Sequence, residues 1–340
     1  MKTSKSTSTL SIGFETQILG LGKGFPDQIV TNTDLEKIVE TNDRWIVERT
    51  GIQERRIALK SESNSDFAAK ACEEAILNSK IDPSEIDLLI FATVTPDHLT
   101  PNTGAIIAKK LGVPSIPTLD ISAACSGWIY GYVFADQLIR AGVYKHILVV
   151  AAETLSRIVN WEDRNTCILF GDGGGAAVIG RTPEGEKSKS YSSHLYAEGG
   201  LKDLLTADAG GSAVPFSLDV IANRSYCISM KGKEIFKVAV RTLASGASAL
   251  LEENGLTLDD LDWFIPHQAN LRIIEAVAKR LGLSMSKVIV NVDRFGNTSG
   301  ATVPTAFAEA VENGKIKRGD LVLLDVFGAG LTYGATLLRF

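Results

Sequence analysis

Apolar residues along the chain come in two rhythms, short unbroken runs and longer stretches spaced three or four apart. The runs Asp87–Thr93, Thr118–Ile121 and His146–Ala152 predict buried strands. The stretches Asp66–Asn78, Thr103–Leu111 and Trp128–Ala141 predict helices, each placed beside one of those strands. Before them, Phe14–Leu21 reads as a first strand ending at glycines. Thr33–Glu40 reads as a helix with Thr33 as N-cap, and the polar stretch Thr41–Ile52 follows it. Such alternation predicts a mostly parallel sheet with helices on its faces.

The second half repeats the rhythm. Helix Glu234–Glu253 leads to strand Leu261–Ile265, helix Leu271–Leu281 to strand Val288–Val292, and helix Val303–Val311 to strand Leu321–Val326. Glu85 to Ile90 can be laid over Asp260 to Ile265, and Lys109-Lys110-Leu111-Gly112 over Lys279-Arg280-Leu281-Gly282. Laying Gly127 over Gly300 then brings the turn at Cys125 onto Asn297-Thr298-Ser299-Gly300. A duplicated pair of α/β halves accounts for this, with a flexible leader at 1–13, a first half over 14–185 and a second over 186–340. Two related sheets packed together would bring these turns face to face.

Composition narrows the class. With 340 residues, 45% of them hydrophobic and 22% charged, the chain is of ordinary globular type and long enough for two units. A net charge of −5 argues against nonspecific nucleic-acid binding and requires any acidic partner to meet a local basic patch. No run reaches the length of a signal peptide or a membrane span, which predicts a cytoplasmic protein with no membrane attachment. Cys72, Cys125, Cys167 and Cys227 lie far apart, without CxxC or zinc-type His spacing, so neither a disulfide framework nor a metal site is expected. Cys72 falls in the apolar set of a helix and is assigned to core packing.

Cys125 is different. It sits between a predicted strand and helix, among the small residues Ala123, Ala124, Ser126 and Gly127, where a tight turn leaves room for a second group to approach the sulfur. The helix start favours thiolate over thiol. His267 alone of the four histidines, beside His98, His146 and His194, occupies the mouth of a repeated strand. Asn297 lies in the turn that the repeat places opposite Cys125. Singly, each also fits a structural role: small core filling, a satisfied histidine, a turn or cap asparagine.

Together, Ala124-Cys125-Ser126-Gly127, His267-Gln268-Ala269-Asn270 and Gly296-Asn297-Thr298-Ser299 resemble the β-ketoacyl-acyl-carrier-protein synthase III family of thiolase-like condensing enzymes. The similarity runs from Trp45–Ile52 through Asp163–Thr166 and Phe170–Gly173 to Phe327–Gly334. It implies a five-layered αβαβα fold built from two duplicated halves, normally as a homodimer. It also implies that Cys125 takes the acyl group of a starter acyl-CoA, with the backbone amides of Cys125 and Ala329 as oxyanion hole. His267 and Asn297 would then donate hydrogen bonds to the thioester oxygen of malonyl-acyl carrier protein as carbon dioxide leaves. A Cys-His-Asn set fits initiating synthases and chalcone-synthase-like enzymes, where a second His, a second Cys or a Glu would point to other branches. No cofactor is implied beyond the CoA thioester and malonyl-carrier substrates.

The resemblance extends to the substrate mouth. Trp45 and Arg164 match positions flanking the CoA adenine and Arg49 one on its phosphates. Lys237, Arg272, Lys279 and Arg280 match the basic surface that docks the carrier protein. Thr100 stands where acetyl-specific members commonly place a Phe that closes the acyl pocket across the dimer interface, which predicts starters longer than acetyl. Three other readings compete: a synthase-III-like acyltransferase of specialised metabolism, a papain-like cysteine hydrolase and a non-catalytic carrier-binding homologue.

Overall fold

The computed structural model describes residues 13–113 and 115–340, so the leader expected at 1–13 lies outside the described residues apart from Gly13. Two sheets form the frame. The first takes β1 (Thr16–Gly24), β2 (Leu88–Ala92), β3 (Thr118–Ile121), β4 (His146–Glu153) and β5 (Gly173–Arg181) in the order β1-β5-β4-β2-β3. The second takes β6 (Lys189–Ala197), β7 (Trp263–Pro266), β8 (Leu321–Gly328) and β9 (Thr332–Arg339) in the order β7-β8-β9-β6.

These sheets are the same design twice. In the first, β3, β2 and β4 run parallel, then β5 and β1 antiparallel. In the second, a lone parallel bridge from Val288 to Phe264 stands in for β3, β7 and β8 are parallel, and β9 and β6 follow antiparallel. The sheets are therefore mixed rather than mostly parallel. The expected strand Val288–Val292 is reduced to that single bridge because the Asn291 N–H is diverted to the Gln268 side chain at 3.0 Å and a short helix begins at Val292.

Strand periodicity sorts the core into layers. On β4, Ile147, Val149 and Ala151 face a central cluster, while Leu148, Val150 and Ala152 face the outer helix α1 (Asn64–Ser79). On β8, Val322, Leu324 and Val326 face the same centre, and Leu321, Leu323 and Phe327 face an outer cluster with helices α2 (Gly232–Glu253) and α3 (Leu271–Leu281). Helices α4 (Gly127–Arg140) and α5 (Thr302–Glu312) fill the centre through Trp128, Tyr132, Val303 and Phe307. The result is the five-layered αβαβα arrangement. Cys72 is fully buried on α1, in the packing role assigned to it.

Two local readings change. The early helix spans Asn32–Leu35 and is capped by Thr31, not Thr33, because Asp34 closes a reciprocal capping box with Thr31. The polar stretch after it contains a helix, Asp43–Thr50, capped by Asn42 and stopped by Gly51 in the left-handed region at φ 76°.

Candidate active site

Both central helices begin in the same unusual turn. Ala124 and Ser299 are non-glycine residues with positive φ, 46° and 53°, each opening a short 3₁₀ turn that runs into α4 or α5. The structural match is thus Ala124 with Ser299, which lays Cys125 over Gly300 and replaces the alignment of Gly127 with Gly300. The strands Leu88–Ala92 and Trp263–Pro266 share this offset. The turns are packed together: a Cβ on Gly300 would lie 3.2 Å from the Ala124 carbonyl oxygen.

The Cys125 turn is braced from the second half of the chain. Ser126 Oγ donates to the Thr332 carbonyl at 3.0 Å, and the Thr332 hydroxyl lies 2.8 Å from the Ala123 carbonyl and 3.1 Å from that of Ala329. Gly328 passes so close that a Cβ there would fall 2.8 Å from the Cys125 nitrogen. This brings Ala329 and Cys125 onto the wall of one cavity. Burial overrides the expectation that the helix start makes the sulfur a resting thiolate: it pushes the Cys125 thiol up to about 12. The sulfur therefore rests protonated and must lose its proton as it attacks.

Asn297 is clamped between the halves. Its N–H donates to the Leu169 carbonyl at 2.8 Å and its carbonyl accepts from Gly171 at 3.1 Å. Its Oδ1 accepts the Ser299 N–H at 2.8 Å, which orients the amide and leaves Nδ2 as the outward donor. His267 follows β7, with its N–H on the Asp325 carbonyl at 2.8 Å. Its Nδ1 is 2.7 Å from the Thr302 hydroxyl, which is itself 2.9 Å from the Ser299 carbonyl. Burial pulls His267 down to about 3, so the ring is neutral.

Thr302 has one proton for two acceptors. Given to Ser299, it leaves Nδ1 as the protonated nitrogen and Nε2 as an acceptor; given to Nδ1, it makes Nε2 the donor that the expected role requires. Ser299 is the meeting point of all three residues, bonded to Asn297 directly and to His267 through Thr302, with its hydroxyl beside the Cys125 thiol. Neither Ser299 nor Thr302 was assigned a role from sequence, where they stand among other polar residues, Asn297, Thr298 and Thr305, and carry no distinct signal. A cavity of about 430 Å³ opens from Cys125 and Ser299, walled by Leu155, Ile158, Leu205, Phe216 and Ile228.

Neither His267 nor Asn297 is among the residues lining that cavity, and the remaining expected residues also lie outside its wall. Arg49 and Arg164 both lie over the Trp45 ring, 4.5 and 5.1 Å from its centroid, so the three do come together. Asn270, the cap of α3, donates to the Arg49 carbonyl at 3.1 Å and ties this cluster to the His267 segment. Lys237, Arg272, Lys279 and Arg280 are all exposed on α2 and α3, opposite the buried Ile274 and Val277. Thr100 is exposed on the loop before helix Thr103–Lys110 and does not line the cavity of its own chain. Among the described residues no cluster of three or more His, Cys, Asp or Glu is placed to hold a metal, and no helix is long and apolar enough to cross a membrane.

Comparison with known proteins places this geometry. Residues 119–199 match the 3-oxoacyl-[acyl-carrier-protein] synthase III family and residues 251–340 its C-terminal counterpart. The β-ketoacyl-[acyl-carrier-protein] synthase III of Caldanaerobacter subterraneus subsp. tengcongensis is 47% identical over 95% of this chain and 97% of its own. That of Symbiobacterium thermophilum is 48% identical, again over 95% and 97%. The crystal structure of 3-oxoacyl-[acyl-carrier-protein] synthase III from Aquifex aeolicus VF5 superposes with a TM-score of 0.89 at 46% identity, covering 96% of this chain and all of that one. With close to half of the residues identical over almost the full length and the whole fold superposing, the chain belongs to the β-ketoacyl-acyl-carrier-protein synthase III family.

Proposed function

We propose that the chain starts fatty acid biosynthesis by joining an acyl-CoA starter to malonyl-acyl carrier protein, releasing CoA and carbon dioxide. The convergence of Cys125, His267 and Asn297 on Ser299 is the observation that carries this reading. In the first half-reaction Cys125 attacks the starter thioester and the charge on the tetrahedral oxygen falls to the Cys125 and Ala329 amides. In the second, the malonyl carboxylate leaves as carbon dioxide and its electron pair becomes an enolate. A neutral His267 and the Nδ2 of Asn297 suit that step, since they meet the enolate oxygen without a charge that would repel malonate. The enolate carbon then attacks acyl-Cys125 and the C–S bond breaks.

In this reading Trp45 and Arg164 flank the CoA adenine and Arg49 meets its phosphates. Adenine entry then displaces at least one guanidinium from the Trp45 face, because both lie within stacking distance of the ring. Lys237, Arg272, Lys279 and Arg280 form the landing surface for the acidic carrier. The apolar cavity takes the pantetheine arm and the acyl chain, with Thr100 contributed across a homodimer interface as one wall. The edge strand β3, with Leu119 half exposed, is the face read as that interface. No resident metal or redox cofactor is needed, and the proposed setting is the cytoplasm.

The test is intact-mass measurement of enzyme incubated with a series of acyl-CoAs and chased with malonyl-acyl carrier protein. Acylation at Cys125 followed by discharge to β-ketoacyl carrier is the expected result, with starters beyond acetyl accepted. Acylation without discharge would sink the condensing reading.

A further inference from the structure

The mechanism above leaves one buried ionisable group beside the nucleophile unused. Glu153, the last residue of β4, is fully buried. It accepts the Thr93 hydroxyl at 3.0 Å, the Val94 N–H at 3.1 Å and the Thr95 hydroxyl. Asn64 stands behind these donors, its Nδ2 2.8 Å from the Thr93 hydroxyl and 2.8 Å from the Thr95 carbonyl. Among the described residues no Lys, Arg or His pairs with Glu153. A carboxylate without a counter-charge in such a place is expensive, and hydrogen bonds or protonation are what offset the cost. Burial holds it up to about 7, against which the threonine, Val94 and Ser299 donors pull it down.

Ser299 connects it to the sulfur. The short turn that Ser299 opens packs against β4, the strand that Glu153 ends, and Ser299 shares a cavity wall with Cys125, which brings its hydroxyl near both the carboxylate and the thiol. The Ser299 backbone is already committed, its N–H to Asn297 and its carbonyl to Thr302, so the hydroxyl is the part free to turn between sulfur and carboxylate. The ionisable group facing Glu153 across the turn is the Cys125 thiol itself, and the other groups packed against it are hydroxyls and amides. His267 is the alternative base through Nε2, in the tautomer that keeps the proton on Nδ1; the tautomer that makes Nε2 a donor for condensation cannot take the thiol proton.

We infer that Glu153 takes the proton of the Cys125 thiol through the Ser299 hydroxyl during acylation and returns it to the sulfur during condensation. As the bond from sulfur to the acyl carbon forms, the S–H proton passes to Ser299 Oγ and the Ser299 proton passes to Glu153. CoA leaves as a thiolate and takes its proton from water at the cavity mouth. When the enolate carbon attacks, the C–S electron pair returns to sulfur, which takes the proton back through Ser299. Glu153 ends as the carboxylate it began as. The store has a second use: while it holds the proton Glu153 is neutral, so malonate enters without a negative charge behind the acyl-cysteine.

This inference rests on the condensing reading for its second half, but its first half is testable without it. Iodoacetamide alkylation of Cys125, followed by intact mass from pH 5.5 to 9, reads the loss of the thiol proton alone. The wild-type rate should rise through the Glu153 titration near pH 7. Glu153→Gln and, independently, Ser299→Ala should each remove that rise and slow alkylation at pH 8 by about 10²-fold, the scale of a general base. Glu153→Asp should restore the pH profile in part. Ser299→Ala leaves the carboxylate and its other donors in place, so it serves if the Gln variant fails to fold.

The opposite sign would overturn the inference. If Glu153 merely repels the thiolate, Glu153→Gln removes a negative charge and alkylation becomes faster. An unchanged profile in Ser299→Ala overturns the relay as well. A wild type that shows the expected alkylation profile but never discharges acyl groups to malonyl-acyl carrier protein would keep the relay and remove the condensing reading.

Discussion

The turn at Cys125 and the turn at Ser299 share one backbone form and carry different side chains. Each has a non-glycine residue at positive φ, a 3₁₀ step and then a central helix, yet one carries a thiol where the other carries Gly300. The missing side chain lets the turns touch, since a Cβ on Gly300 would crowd the Ala124 carbonyl. In the proposed reading one of these two strained turns presents the nucleophile and the other is a polar hub. The strain of each turn, of order 1–3 kcal/mol, is held by packing from both halves.

Removing the thiol breaks the comparison most severely. Cys125→Ser should cost on the order of 10⁴-fold or more in condensation, measured as product formed per enzyme, and should abolish the acyl adduct in intact mass. Breaking the other turn should separate the half-reactions. Asn297→Ala should leave acylation by acyl-CoA in place while discharge by malonyl-acyl carrier protein slows about 10²- to 10³-fold, the scale for one lost oxyanion donor. Equal losses in both steps would show that the two turns do not divide the work.

Thr302→Val sharpens the comparison within the second turn. Without the hydroxyl, His267 Nδ1 loses its hydrogen-bond partner and the ring loses the contact that fixes its tautomer and orientation. Discharge should slow about tenfold, about 1.4 kcal/mol of barrier, with acylation unchanged in rapid-quench measurements. The smallest effect is on stability. His267 is held near 3 when folded and about 6.5 when unfolded, so the unfolded chain binds the extra proton as pH falls. Its contribution is full above about 6.5 and is lost progressively toward 3; His267→Asn should flatten that acid limb in urea unfolding.

How legible was this from sequence? Unbroken apolar runs marked β2, β4 and β8 because a doubly covered strand has no polar face to interrupt it, whereas β3, expected to be buried, is an edge strand of half-buried and exposed residues. Helix Leu271–Leu281 was bounded to the residue because an Asn cap, a strong apolar stripe and a closing Gly all agree there. The strand expected at Val288 failed because its edge bonding was decided by Gln268, a side chain distant in the chain. β5, β6 and β9 went unassigned because Gly173-Gly174-Gly175 and the polar Ser192-Ser193-His194 dilute the strand signal. Within the site, Cys125, His267 and Asn297 were readable as motif residues, while Ser299, Thr302 and Glu153 gave only ordinary polar signals.

By itself, the sequence determined the alternation of helices and strands and its repetition in the second half, which follow from periodicity and spacing, while the five layers and the joint reading of Cys125, His267 and Asn297 came from the resemblance of their motifs. Only the tertiary structure decided the register of the repeat, the neutral state of His267, the protonated state of Cys125 and the position of Glu153 behind Ser299. Each of those depends on what burial removes from water and on which groups the fold brings together from opposite halves of the chain, and no local pattern carries that information.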